Sequence, residues 1–253
     1  FPLVKFTDRT FNLAPARYLA IWEYIRDRYN GITRFHFELS ADLLGDDAFA
    51  VLETMPEGSV QFEIGIQSAN PETLRLVGRK SDMKALAANI RRIPASIHRH
   101  VDLIAGLPAE DLPSFARSFD FAFSLGADML QLGFLKILDG SPMDAIARAE
   151  SGPDGYAWSS EPPYEVLRSP AMPYRDLLVV KDVECLVDAW YNSGVLRKFL
   201  THLATGGLVA SAFGAFVGLS AMHLFRPNYV NNVFAQIGLV MLIGLAAKNA
   251  ILI

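Results

Sequence analysis

From residue 3 to about residue 150, short runs rich in β-branched and aromatic residues alternate with helical periodicities. Leu3 to Phe6, Arg34 to Glu38, Val60 to Ile66, His100 to Ala105 and Met129 to Leu135 read as strands. They recur every roughly 30 to 40 residues, the length of a βα repeat. Tyr18, Trp22, Ile25 and Tyr29 fall at i, i+4, i+7 and i+11, which predicts an amphipathic helix that Gly31 stops. Asn70 is placed to cap a helix with Pro71 and Glu72 in its first turn and Gly78 at its end. Phe115, Phe119 and Phe123 at i, i+4 and i+8 mark another, from about Asp111 to Leu125, with Gly126 as terminator. The strands read as mostly apolar rather than cleanly alternating, as when helices cover one face of a sheet and a packed interior the other. The predicted fold class is α/β, a parallel (β/α) barrel or part of one.

Farther on the pattern changes twice. Ser151 to Pro173, with Gly152-Pro153, Pro162-Pro163, Pro170 and Pro173, reads as a connecting segment, and a helical stretch runs from about Asp176 to Leu200. Leu203 to Phe225 and Asn228 to Ala247 are then free of formal charge over 23 and 20 residues. A bilayer core needs about 20 apolar residues in a helix, so both runs read as transmembrane-type helices. Gly214 and Gly218 supply a GxxxG step for close helix packing, and Arg226-Pro227-Asn228 an interfacial turn. A pair of buried helices is the alternative. The predicted organisation is residues 1–150, a barrel; 151–200, an extension; and 201–253, two membrane helices.

Composition sharpens that division. The chain is 51% hydrophobic with a formal net charge of -4, yet only Arg226 and Lys248 are charged beyond Leu203, so residues 1–203 carry 21 basic and 27 acidic groups. A net of -6 there argues against a general nucleic-acid or anionic-membrane surface, which needs clustered Lys and Arg. The one cysteine, Cys185, excludes an internal disulfide and any multi-thiolate metal site made by this chain alone, and reads as a structural cysteine. Starting at Phe1 and ending on Ile251-Leu252-Ile253, the chain reads as a fragment at both ends, with no secretory signal at its start.

In parallel βα architectures the chemistry lies at the C-terminal strand ends. Those ends offer Asp8 and Arg9, Glu38 and Ser40, Gln67 and Ser68, then Asp102 with Gly106-Leu107-Pro108. Carboxylates, an amide and hydroxyls suit a polar ligand bearing amine and hydroxyl groups. No nucleophile and base pair, HExxH or phosphate-binding loop stands out. The structural alternative is that Glu38 and Asp102 pair with nearby Arg residues, that Gln67-Ser68 caps the next turn, and that Arg79 is a solvated helix-end cation.

Phe62-Glu63-Ile64-Gly65-Ile66-Gln67-Ser68, followed by Asn70-Pro71-Glu72-Thr73-Leu74 and Arg79, resembles the fourth-strand region of radical S-adenosylmethionine (SAM) enzymes. Val101-Asp102-Leu103-Ile104-Ala105-Gly106-Leu107-Pro108 resembles their fifth strand, and Leu138-Asp139-Gly140-Ser141-Pro142-Met143 the turn after the sixth. Val4 to Asn12 and Phe35-His36-Phe37-Glu38 fit the second and third strands, and the nearest likeness is to the subgroup with an upstream cobalamin-binding domain. Over residues 1–200 the resemblance implies SAM as a ligand, with Glu38, Gln67, Ser68, Arg79 and Asp102 as the cofactor-binding set. It implies a parent that reductively cleaves SAM with a four-iron, four-sulfur cluster to start radical chemistry, possession of cobalamin being open. The family's CxxxCxxC cluster loop is not in this sequence, so this chain alone is expected to be inactive.

The tail resembles something unrelated. Asn231-Asn232-Val233-Phe234-Ala235-Gln236-Ile237-Gly238-Leu239 and Gly244-Leu245-Ala246-Ala247-Lys248-Asn249-Ala250-Ile251-Leu252-Ile253 are similar to a transmembrane helix of resistance-nodulation-division efflux transporters. By that resemblance Lys248 is a proton-relay lysine, in keeping with the cost of roughly 2.5 to 3.5 kcal/mol for a lysine within a span. The expectation is a chimera joined near Leu196 to His202, cytoplasmic over residues 1–200 and in the inner membrane beyond. A proton-driven transporter represented by its tail, and a non-catalytic binding barrel, are the competing readings.

Overall fold

The computed structural model describes residues 1–194, 211–214, 216 and 217. In chain order it contains β1 (Leu3–Lys5), α1 (Pro15–Arg28), β2 (Arg34–Leu39), α2 (Asp46–Leu52), β3 (Val60–Gln67), α3 (Pro71–Leu76), α4 (Met83–Arg92) and β4 (His98–Ala105). There follow α5 (Leu112–Ser124), β5 (Met129–Phe134), α6 (Pro142–Ala149), β6 (Ala157–Trp158), β7 (Val166–Arg168) and α7 (Tyr174–Leu186), which continues as a π-helical turn over Val187–Asn192. Strands β1 to β5 form one parallel sheet in sequence order, and β6 and β7 an antiparallel pair. Sequential order with a helix between strands is what right-handed βα crossovers produce.

The chain divides into two compact units. The first comprises Phe1–Gln67, Arg79–Asp102 and Leu125–Leu130. Its helices follow local chemistry: Pro15 opens α1, whose Tyr18, Trp22 and Ile25 are buried, and Asp82 caps α4 by accepting from the amides of Lys84 and Ala85. Trp22 packs on Phe62 of β3 at 5.3 Å between ring centroids, while Phe37 of β2 meets Phe6 at 4.6 Å and Phe11 at 4.4 Å. Each fully buried ring of this kind contributes about 1.5 to 3 kcal/mol by leaving water.

The strands, expected to be mostly apolar, instead alternate. In the parallel register Phe37 lies beside Phe62 and Leu39 beside Ile64 on the face that receives Trp22, whereas Lys5 lies beside His36, His36 beside Gln61, and Glu38 beside Glu63 on the other. Side chains two apart share a face, so Gln61, Glu63, Gly65 and Gln67 of β3 belong to the polar side.

The second unit comprises Ser68–Gly78, Leu103–Ser124 and Gln131–Ile253. Asn70 caps α3 as its sequence predicts, accepting from the Glu72 amide at 3.0 Å. Gly106, at φ +86, lies so close to Val166 that an added Cβ would sit 2.6 Å from its Cγ1. Of the run Leu203 to Phe225, read as a membrane span, the described residues are 211–214, 216 and 217. Phe213 and Phe216 are 5% and 1% exposed, with their rings edge-on to Phe119 at 5.4 and 5.7 Å, and Asp120 Oδ1 accepts from the Phe213 amide at 2.9 Å. Among these described residues, Phe213 and Phe216 are buried against α5. No helix among the described residues is long and apolar enough to cross a membrane, and Asn228 to Ile253, including Lys248, lies outside them. Cys185, read as a buried or helical structural cysteine, sits on helix α7 and is exposed.

Candidate functional site

Four of the five predicted binding residues come together on the polar face of the first unit. Glu38 stands near the end of β2, Gln67 ends β3, and Asp102 lies on β4, while Arg79 follows α3 and turns back to donate from Nη2 to the carbonyl of Gly65. Arg79 is therefore not a solvated helix-end cation. Burial pushes its guanidinium below the ordinary value, and the carboxylates of Asp42, Glu38 and Asp102 oppose that shift.

Beneath Glu38 lies a charge ladder that the sequence reading does not identify. Glu63 Oε2 accepts from Lys5 Nζ at 2.9 Å and from His36 Nε2 at 2.7 Å, and Gln61 Nε2 donates to His36 Nδ1 at 2.6 Å. An amide donor on Nδ1 and a carboxylate on Nε2 fix the tautomer with the proton on Nε2. Burial lowers the His36 pKa, ahead of the opposing bond to Glu63, so the ring is neutral at pH 7. Burial pushes Glu63 up, but the bonds from Lys5 and His36 outweigh it and hold the carboxyl below its usual range. Glu38, its cross-strand neighbour, moves the other way, raised first by burial and then by the charge of Glu63. Two adjacent carboxyl groups are thus driven apart in acidity.

The predicted set also has unspent polar capacity. Glu38 makes no hydrogen bond or ion pair among the described residues. Asp102 Oδ1 lies 2.8 Å from His100 Nε2 without an aligned hydrogen bond, and the buried Gln67 Oε1 has no partner among the described residues. Neither Glu38 nor Asp102 forms the Arg ion pair that the structural alternative required. Gln67 adopts φ 69, a left-handed backbone conformation rare for a residue with a side chain and found most often at sites of function.

Ser68 is placed apart from the other four. It belongs to the second unit, is fully buried, and donates its Oγ proton to Glu110 Oε1 at 2.6 Å while accepting from the Asn70 amide at 2.9 Å. Its hydroxyl caps the turn, because the left-handed residue before it interrupts strand alternation. Ser118 joins through 2.8 Å to the same Glu110 oxygen, and burial, more than these bonds oppose, raises the Glu110 pKa. Of the other strand-end candidates, Asp8 is engaged by Arg17 at 2.9 Å, Ser40 by Asp42 at 2.6 Å, and Arg9 is exposed. Of the residues missed, Glu63 and Gly65 were signalled by the i, i+2 polar series on β3, while Lys5 and His36 stand on β1 and β2 and are tied to it only by the strand register. Among the described residues no three His, Cys, Asp or Glu side chains are grouped to hold a metal ion.

A family model described as a protein of unknown function (DUF4080) matches residues 154–225. The matched range includes Leu196 to His202, and no comparison supports the expected chimeric junction there or an efflux-transporter segment. No curated protein matches the chain in sequence. Among solved structures, the radical SAM methyltransferase TsrM from Kitasatospora setae, with cobalamin and a [4Fe-4S] cluster bound, is similar at TM-score 0.53 and 18% identity over 67% of this chain and 36% of that one. The same enzyme with tryptophan and the SAM analogue aza-SAM gives 0.52 and 18% over 66% and 35%. Coproporphyrinogen III oxidase (HemN) from Escherichia coli, a radical SAM enzyme, gives 0.55 and 19% over 82% and 46%. The chain spans between about a third and under half of these proteins' lengths. What the likeness establishes is the fold alone, an α/β fold whose parallel five-stranded sheet is like that of radical SAM enzymes.

Proposed function

We propose that this chain is the SAM-holding part of a radical SAM enzyme, with residues 1–150 supplying the site and 151–200 an extension of it. The observation that carries the reading is the unspent polar capacity of Glu38 and Gln67 Oε1, with Asp102, around the half-buried Arg79, in a fold shared with TsrM and HemN. Those groups fit SAM. Carboxylates and an amide oxygen accept from its ammonium and ribose hydroxyls, and a guanidinium forks onto its carboxylate. Bound SAM supplies the reactive sulfonium to carbon bond that reduction cleaves. This chain's residues bind and orient it, and the apolar side of the sheet, packed by Trp22, Phe37 and Phe62, keeps their geometry rigid.

The residues do not fit an iron-sulfur cluster, because one exposed cysteine on α7 cannot supply three thiolates. Cluster ligation belongs to another segment or chain under this proposal, and cobalamin, present in TsrM, has no assigned ligand here. The substrate of the radical chemistry is unassigned.

Calorimetric titration of the full chain with SAM tests the reading. Saturable binding is expected, weakened at least tenfold by Arg79→Ala and by Glu38→Gln, the loss of one charge-assisted hydrogen bond being about 1.5 to 3 kcal/mol. Absence of binding by a folded wild-type chain at millimolar SAM overturns it.

A further inference from the structure

Gly65 is a glycine without a backbone reason. Gly31, Gly58, Gly78, Gly106, Gly126, Gly140, Gly152 and Gly194 all have φ between +64 and +152, where a side chain is disfavoured, but Gly65 lies in the middle of β3 in a conformation open to any residue. Its use must be space. A Cβ at position 65 would stand 2.4 Å from Gln67 Nε2 and 3.5 Å from Gln67 Cδ, while Arg79 Nη1 would be at an ordinary 3.7 Å. The carbonyl of the same residue receives Arg79 Nη2. The left-handed φ of Gln67 turns its side chain back along its own strand, and the bare Cα of Gly65 is where the carboxamide comes to rest.

We propose that Gly65 is a positioning residue: its missing side chain seats the Gln67 carboxamide and its carbonyl ties down Arg79, so that Gln67 Oε1 faces an N–H or O–H donor of the ligand. This rests on the reading that Gln67 and Arg79 hold SAM. The ligand group at this subsite is an ammonium or a hydroxyl, since the free atom of Gln67 is an acceptor and is buried without a partner among the described residues. Gly65 touches no ligand itself. It acts by keeping one rotamer of Gln67 available, and any side chain displaces that rotamer first because the Gln67 amide is its nearest neighbour.

A double-mutant cycle in the full chain tests this, using Gly65→Ala, Gln67→Ala and the pair, with SAM titration and thermal melting for each. Gly65→Ala alone is expected to raise the Kd for SAM at least tenfold and to lower Tm. In the Gln67→Ala background, where the 2.4 Å neighbour is gone, it should change Kd less than twofold and leave Tm unmoved. Equal effects of Gly65→Ala in both backgrounds overturn the proposal. If the wild-type chain binds no SAM, the functional reading fails, and the Tm arm of the cycle still decides whether Gly65 seats Gln67. If Gly65→Ala does not fold, restored folding in the double variant supports the seat and a double variant that also fails to fold refutes it.

Discussion

Phe216→Ala separates a docked segment from a membrane anchor. Phe216 is 1% exposed, and its ring stands edge-on to Phe119 at 5.7 Å and 72° and to Phe123 at 6.2 Å and 67°. Truncating a buried Phe to Ala costs about 3 to 5 kcal/mol through lost transfer energy and the cavity left behind. Residues 211–217 reach α5 through Phe213, Phe216 and the bond to Asp120, so undocking limits the loss, and about 3 kcal/mol is expected. With a urea m-value of about 1 to 3 kcal/mol/M, the unfolding midpoint should fall by roughly 1 to 3 M. The assay is urea unfolding of the full chain followed by far-UV circular dichroism, with Phe1→Ala as control because Phe1 is 98% exposed. A Phe216→Ala midpoint indistinguishable from that control would refute the docking argument.

Three further outcomes follow from the buried charges. Burial raises the Glu110 pKa, so ionising it costs stability as pH rises from its ordinary 4.5 through the raised folded value. Glu110→Gln keeps a carbonyl acceptor for Ser68 and Ser118, and its Tm advantage over wild type should grow from pH 4 to pH 7; an advantage that shrinks contradicts this. Glu63 has the opposite sign: it stabilises above its ordinary 4.5, and the benefit is lost as pH falls through its lowered folded value. Lys5→Met should therefore move acid unfolding to higher pH in a dichroism titration, and an unchanged acid midpoint counts against the ladder. Ser68→Ala removes partners from Glu110 and the Asn70 amide and should cost about 1 to 3 kcal/mol in urea unfolding. Its effect on SAM affinity should be far smaller than that of Gln67→Ala, and the reverse ranking would return Ser68 to the ligand.

The alternation of strand and helix was legible because it depends on local signals. Val60 to Ile66 differs from the observed Val60–Gln67 by one residue, and Asn70 performs the cap its position announced. Helix α4 was readable from Asp82 and the buried Leu86, Ala87 and Ile90, yet no helix was assigned there; α2, seven residues long, has too few turns to display a period. The candidate site was half legible. Glu38, Gln67 and Asp102 sit at strand positions that sequence spacing can rank, but no spacing shows that Arg79 returns to the Gly65 carbonyl. Nor does it show that the left-handed Gln67 sends Ser68 into a different network. The uncharged run after Leu203 was read as membrane-spanning, whereas its described Phe213 and Phe216 are buried against α5; an apolar helix face and a bilayer make the same demand on composition.

The bond from Asp120 to the Phe213 amide links residues 93 positions apart. During synthesis at about 5 to 20 residues per second, the aromatic face of α5 emerges roughly 5 to 20 s before the segment that covers it. For that interval Phe115, Phe119 and Phe123 lack their cover from Phe213 and Phe216, so the apolar face of α5 is completed only after most of the chain has been made.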